Sequence, residues 1–185
     1  MTKKMNIVVY CSAQDGLEDK YNQLAATLGQ WIGQNGHTLV YGGVKAGLMH
    51  VTATAVHEAG GICAGVIPEM FLHRLDPLCD KVVTTSDLQQ RKQYMIEHGD
   101  VFVILPGGVG TLDEWISTLC VMCIDDDDRR PIIVADLDGL FKDTVRQLEA
   151  ITHTPFARGK DLTRTLVAHS PDDLLATLNN LTLRR

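Results

Sequence analysis

A carboxylate stands one helical turn beyond a glycine-rich loop in the stretch Pro106-Gly107-Gly108-Val109-Gly110-Thr111-Leu112-Asp113-Glu114. The loop follows the apolar run Val101-Phe102-Val103-Ile104-Leu105 and precedes Trp115-Ile116-Ser117-Thr118-Leu119, so it joins the end of a buried strand to the start of a helix. Unpaired backbone N–H groups and the positive end of the helix dipole converge at such a junction, and together they bind an anion, most often a phosphate. Glu114 lies about 4.5 Å further along the helix axis than Thr111. Phosphate binding does not explain an acid there. Its position suggests chemistry on whatever carries the phosphate. The loop is not a Walker sequence, since no Gly-Lys-Ser/Thr follows, and Asp113 sits where a dinucleotide fingerprint needs its third glycine.

Two other stretches carry polar chemistry. Tyr41-Gly42-Gly43-Val44-Lys45-Ala46-Gly47-Leu48-Met49 is a second strand–glycine–helix junction, and its glycines serve either a ligand or the turn alone. Lys45 neutralises a phosphate there or is simply solvated. Asp87 or Ser86 caps a helix whose second turn presents Arg91 and Lys92. Composition alone makes that pair a solvated face. Its unit, however, directly precedes the strand that leads into Pro106, and arginine suits bidentate contact with carboxylate or phosphate. Cys120 and Cys123 share a helix face, but no second pair accompanies them, so they read as core packing. Asp125–Asp128 followed by Arg129-Arg130 reads as a solvated turn. The seven histidines form no zinc motif, and no metal site is expected.

The elements that must position these residues alternate from end to end. Strands are expected at Asn6–Cys11, Thr38–Tyr41, Ile62–Ile67, Lys81–Thr84, Val101–Leu105, Pro131–Ala135 and Thr165–Ala168. Helices are expected near 18–35, 47–59, 87–98, 111–124, 139–151 and 171–181, with a surface loop over 152–164. Short apolar strands between amphipathic helices predict a Rossmann-like α/β fold of three layers, with a parallel sheet of about seven strands flanked by helices. Residues 1–185 read as a single nucleotide-binding domain. The helix 111–124 has almost no polar face, so one side is expected to meet the sheet and the other a second subunit.

Bulk properties exclude several classes. A formal net charge of −6 argues against a nucleic-acid or anionic membrane partner. No run reaches transmembrane length, and Ile7-Val8-Val9-Tyr10 is too short for a signal peptide. Five irregularly spaced cysteines suit a reduced, cytoplasmic protein.

Taken together, Pro106–Glu114, Arg91-Lys92, Tyr41-Gly42-Gly43 with Gly47-Leu48-Met49, and Gly65-Val66-Ile67-Pro68 resemble the LONELY GUY family of cytokinin riboside 5′-monophosphate phosphoribohydrolases, whose members often carry an old lysine-decarboxylase label. The chain departs from the family at Cys11-Ser12-Ala13-Gln14, which lacks a glycine, at Val44 in place of a third glycine, and at Leu75-Asp76, where a family glutamate falls. These differences bear on base choice more than on the reaction. The resemblance implies hydrolysis of the N-glycosidic bond of AMP or an N6-substituted adenosine 5′-monophosphate, giving free base and ribose 5-phosphate without metal or cofactor. It implies Glu114 and Arg91 as catalytic residues. It implies a substrate-binding set of Ser12, Gly42, Gly43, Lys92, Gly107, Gly108, Val109, Gly110, Thr111 and Thr118, in a site near a homodimer interface. Lys92 adds charge near the phosphate in that scheme. A noncatalytic carrier or sensor of a nucleotide or pterin-type phosphorylated ligand is the alternative the same fold allows. A literal decarboxylase lacks a cofactor lysine, and a flavodoxin-like electron carrier is the structural runner-up.

Overall fold

The computed structural model describes residues 4–125, 127–157 and 165–183. Seven strands form one all-parallel sheet: β1 (Asn6–Tyr10), β2 (Thr38–Tyr41), β3 (Ile62–Pro68), β4 (Lys81–Thr85), β5 (Val101–Ile104), β6 (Ile132–Ala135) and β7 (Thr165–Ala168). Their spatial order is β4-β3-β2-β1-β5-β6-β7. The helices are α1 (Asp19–Gln34), α2 (Gly47–Glu58), α3 (Leu88–His98), α4 (Val109–Ile124), α5 (Lys142–Thr152) and α6 (Pro171–Leu183). The expected three-layer architecture is therefore present. Strand order reverses between β1 and β5, and the carboxyl ends of strands at such a reversal leave a crevice for ligands.

Alternation along the central strands separates the two sides of the core. Ile7 and Val9 of β1, with Val101 and Val103 of β5, pack with Leu24, Leu28 and Leu48 of α1 and α2. Val8, Tyr10, Phe102 and Ile104 point the other way, onto Met95, Trp115 and Met122 of α3 and α4. Each helix layer is thus tied to the crevice strands by the period of two that a strand imposes.

Local chemistry sets the helix starts. The Asp87 carboxylate accepts from the N–H groups of Gln89 and Gln90, both at 2.8 Å, and fixes the beginning of α3. Two departures from the expected elements occur. A 3-10 turn spans Glu69–Arg74, and α5 starts at Lys142 because Gly139, at φ +75°, bends the chain after β6. Of the loop expected over 152–164, residues 158–164 lie outside the described residues. Among the described residues no helix is long and apolar enough to cross a membrane.

Candidate active site

Three turns meet at the crevice. The Ser12 N–H donates to Pro106 O at 3.1 Å, and the Leu48 N–H donates to Ser12 O at 3.0 Å, so the turn after β1 is bonded to the turns after β5 and β2. Gly107 is the tightest point. A side chain there would collide with the Thr111 hydroxyl and come within 3.1 Å of Ser12 N.

The two glycine junctions differ in what their helices offer. At the start of α2 the Gly47 N–H already bonds the Asp15 carboxylate at 2.8 Å, and Leu48 is held by Ser12. That helix end is filled by the protein's own groups. At the start of α4 no protein acceptor is found, among the described residues, for the N–H groups of Val109, Gly110 and Thr111. Gly108, Val109 and Gly110 are exposed. Of the two junctions, α4 therefore presents the more open set of main-chain donors to an anion among the described residues. The Ser12 hydroxyl accepts from Gln14 N–H at 3.1 Å, which leaves its own proton to donate.

Gly42 and Gly43 are buried. Gly43 sits at φ +68° with its Cα packed against that of Gly65. The missing side chain of Gly42 leaves room for Met49 and the Arg91 guanidinium. The second junction thus shapes the pocket around Arg91 and does not display amides.

One turn into α4, Glu114 is 4 % exposed and its Oε1 accepts a hydrogen bond from Arg91 Nη2. Burial pushes the Glu114 carboxyl up to about 7, with Arg91 pulling the other way. Arg91 is itself buried, and its Nε has no partner among the described residues. The Glu114 backbone is steadied from below: the Thr118 hydroxyl donates to Glu114 O at 2.8 Å and lies 3.0 Å from the Tyr10 hydroxyl. Thr118 is fully buried, so it braces the acid's turn where contact with a ligand was expected.

Lys92, expected to add charge near the phosphate, is held by groups of α4. Its Nζ lies 2.8 and 2.7 Å from the two oxygens of Asp113 and 3.2 Å from Ser117 Oγ. Sequence reasoning passed over Asp113, although Arg91-Lys92 facing Asp113-Glu114 is a matched pair of dipeptides. Asp15, too, went unnoticed as the group that fills the α2 start. Asp76 is fully buried, 2.9 Å from His50 Nδ1, and its N–H bonds Gly43 O. It therefore holds the second glycine turn from behind.

Of the cysteine pair on α4, Cys123 packs against the core as the sequence suggested, and Cys120 does not. Cys120 is exposed and Cys123 half-buried, both on the wall of an apolar groove of about 430 Å³ between α4 and α5. The expected two-sided character of α4 survives: Trp115 and Met122 face the sheet, while Val109, Val121 and Ile124 are 83, 46 and 74 % exposed. Among the described residues no three His, Cys, Asp or Glu side chains gather as a metal-ligand set.

The raised Glu114 pKa has a measurable cost. The folded protein keeps this proton in a range where the unfolded chain, with an ordinary value of 4.5, has released it. The stability from this group is therefore complete below about 4.5 and is lost as pH rises through about 7. Thermal melts of Glu114→Gln against the parent check this: the variant gains stability relative to the parent across that interval. Parallel pH curves would show that Arg91 outweighs burial and that the acid titrates normally.

The chain is similar to known proteins over most of its length. Residues 49–178 match the family model described as "Possible lysine decarboxylase". The cytokinin riboside 5′-monophosphate phosphoribohydrolase of Rhodococcoides fascians is 38 % identical over 146 residues, 69 % of this chain and 72 % of the relative. Its counterpart in Mycobacterium tuberculosis is 33 % identical over 177 residues, 95 % of this chain and 94 % of the relative. Among solved structures, the molybdenum cofactor carrier protein of Chlamydomonas reinhardtii superposes with a TM-score of 0.78, covering 99 % of this chain and all of that one, at 21 % identity. That likeness concerns the fold. With the Mycobacterium tuberculosis phosphoribohydrolase matching nearly end to end, the chain belongs to the LONELY GUY family, which the "Possible lysine decarboxylase" model also covers.

Proposed function

We propose that the protein hydrolyses the N-glycosidic bond of adenosine 5′-monophosphates, with or without an N6 substituent, to free base and ribose 5-phosphate. The observation that carries this is a buried, arginine-held carboxylate one turn inside a helix whose first amides are unpaired. The 5′-phosphate sits on the N–H groups of Val109–Thr111, helped by the Ser12 hydroxyl. Binding energy from that remote group places the ribose over Glu114. As the C1′–N bond breaks, its electron pair leaves with the base and positive charge grows on the sugar ring, as in other glycosidic hydrolysis. The Glu114 carboxylate stabilises that charge and takes a proton from the water that adds to C1′; the departing base takes up a proton from solvent, and Glu114 then gives its proton back to solvent. A value near 7 suits a group that must accept a proton at neutral pH. A carrier of a phosphorylated ligand has no use for a buried acid whose ionisation destabilises the fold, and this argues for turnover.

The test is direct. Incubated with AMP or isopentenyladenosine monophosphate, the pure protein releases base and ribose 5-phosphate in equal amounts. Tight nucleotide binding with no release from either compound overturns the proposal in favour of a carrier.

The same reading makes the protein a homodimer that uses the exposed apolar side of α4, with irregularly spaced cysteines suited to a reducing, cytoplasmic compartment. An obligate partner surface buries apolar side chains such as Val121 and Ile124. Val121→Asp and Ile124→Asp are expected to halve the mass seen by sedimentation and to lower activity with it. An unchanged mass in both variants rules this face out.

A further inference from the structure

Two ion pairs join α3 to α4 side by side, and they are built differently. Arg91 and Glu114 are both buried. In the neighbouring pair the Lys92 side chain is 8 % exposed and that of Asp113 is 55 % exposed. A carboxylate so open to water gains little from an ion pair for itself. The arrangement matters for the lysine. Its ammonium is a compact charge on a flexible four-carbon stem, one residue from Arg91. Both Asp113 oxygens and Ser117 Oγ hold it, and Ser117 Oγ also donates to Asp113 Oδ1 at 3.3 Å. Asp113 in turn is one residue from Glu114. Without that acceptor, the buried ammonium is left beside Glu114, a carboxylate that already feels its charge.

We propose that Asp113 is a positioning residue that keeps the Lys92 ammonium off the Glu114 carboxylate, so that Arg91 is the acid's sole cationic partner. The proposal rests on the role given to Glu114 above and assigns a purpose to the outer pair. A glutamate clamped by two cations is a poorer proton acceptor and is less free to turn toward a sugar.

The groups around Glu114 are few enough to fix the sign of each change. Arg91 and Lys92 face it from α3, Asp113 from its own helix, and Tyr10 and Cys11 from the β1 end. Burial raises the Tyr10 hydroxyl and the Cys11 thiol well above their ordinary ranges, so both stay neutral. Arg130 lies beyond Tyr10 and is tied to Asp128 and to the Ile96 and Gly99 carbonyls at the end of α3. Neutralising Asp113 removes a nearby negative charge and releases Lys92 toward Glu114. Both effects favour the ionised acid. Removing Lys92 does the opposite.

The experiment is a carboxyl carbon-13 NMR titration of protein labelled at glutamate, with the Glu114 signal identified by its loss in Glu114→Gln. Asp113→Asn is expected to lower the Glu114 midpoint by about one pH unit, and Lys92→Met to raise it by a similar amount. Lys92→Met in the Asp113→Asn background moves the midpoint back up, and Asp113→Glu keeps the parent value. A clamp with a merely structural role fails the same way from either side. Shifts of the same sign in both single variants, or no shift in either, therefore overturn the proposal. Because Asp113 is mostly in water, Asp113→Asn should fold. Should it not, Ser117→Ala loosens the lysine with the same expected direction, and no movement there overturns the idea equally. The titration needs no turnover. If the midpoints move as expected while the acid limb of kcat/KM stays fixed, Asp113 does keep Lys92 aside and the catalytic role given to Glu114 is what fails.

Discussion

Glu114→Gln lowers the rate of base release from AMP by at least about a thousandfold and leaves nucleotide binding within a few-fold of the parent. The amide fits the same volume and still accepts a hydrogen bond from Arg91, so the pocket persists. It can neither balance a cationic sugar nor take a proton from water. The two effects act in the same step, and this places the loss in kcat and not in KM. Single-turnover release together with calorimetric titration of AMP separates them. A variant that turns over at more than about a tenth of the parent rate removes Glu114 from the chemistry. Arg91→Ala is a harsher change, because it strips a buried carboxylate of its partner, and it costs stability as well as rate.

The second large effect divides the glycines of the loop by what each one accommodates. A Cβ on Gly107 would lie 2.7 Å from Thr111 Cβ and 3.1 Å from Ser12 N, against a buried side chain and the backbone of another turn. Neither can yield without moving the other. Gly107→Ala is expected to cost about 1–3 kcal/mol of stability and to weaken AMP binding about a hundredfold, because the amides of α4 lose their aim. A Cβ on Gly108 or Gly110 meets nothing within 4 Å. Gly108→Ala and Gly110→Ala therefore melt like the parent and weaken AMP about tenfold, as the new methyl group occupies space the phosphate needs. Adenosine, which has no phosphate, is unaffected by either. Parent-like AMP affinity in both variants places the anion elsewhere.

How far these residues could be read in advance depended on sequence separation. The strands and helices were legible because each is an apolar run or an amphipathic period bounded by its own punctuation, such as Asp87 before α3 or Gly36 after α1. The 3-10 turn at Glu69–Arg74 has no period long enough to register. The β5–α4 junction reads as a candidate anion site because its strand, glycines and helix are contiguous. The β2–α2 junction resembled it equally well and differs for a reason 32 residues away, where Asp15 fills the helix start. No local pattern carries that information. Arg91 and Glu114 were singled out separately, and their meeting follows from two helices packing side by side. The place of Lys92 depends on the axial offset of those helices, which sets Lys92 against Asp113. Thr118 reads as a ligand-facing polar group until the helix phase turns it inward beneath Tyr10.

The unpaired amides at the beginning of α4 have a kinetic consequence. In the proposed reaction they hold the part of the nucleotide that is left unaltered, so the severed sugar keeps the anchorage its parent had. The purine, which those amides do not touch, is expected to depart first. The phosphorylated pentose lingers and competes for re-entry, and its accumulation throttles the enzyme at concentrations close to those that saturate it with nucleotide.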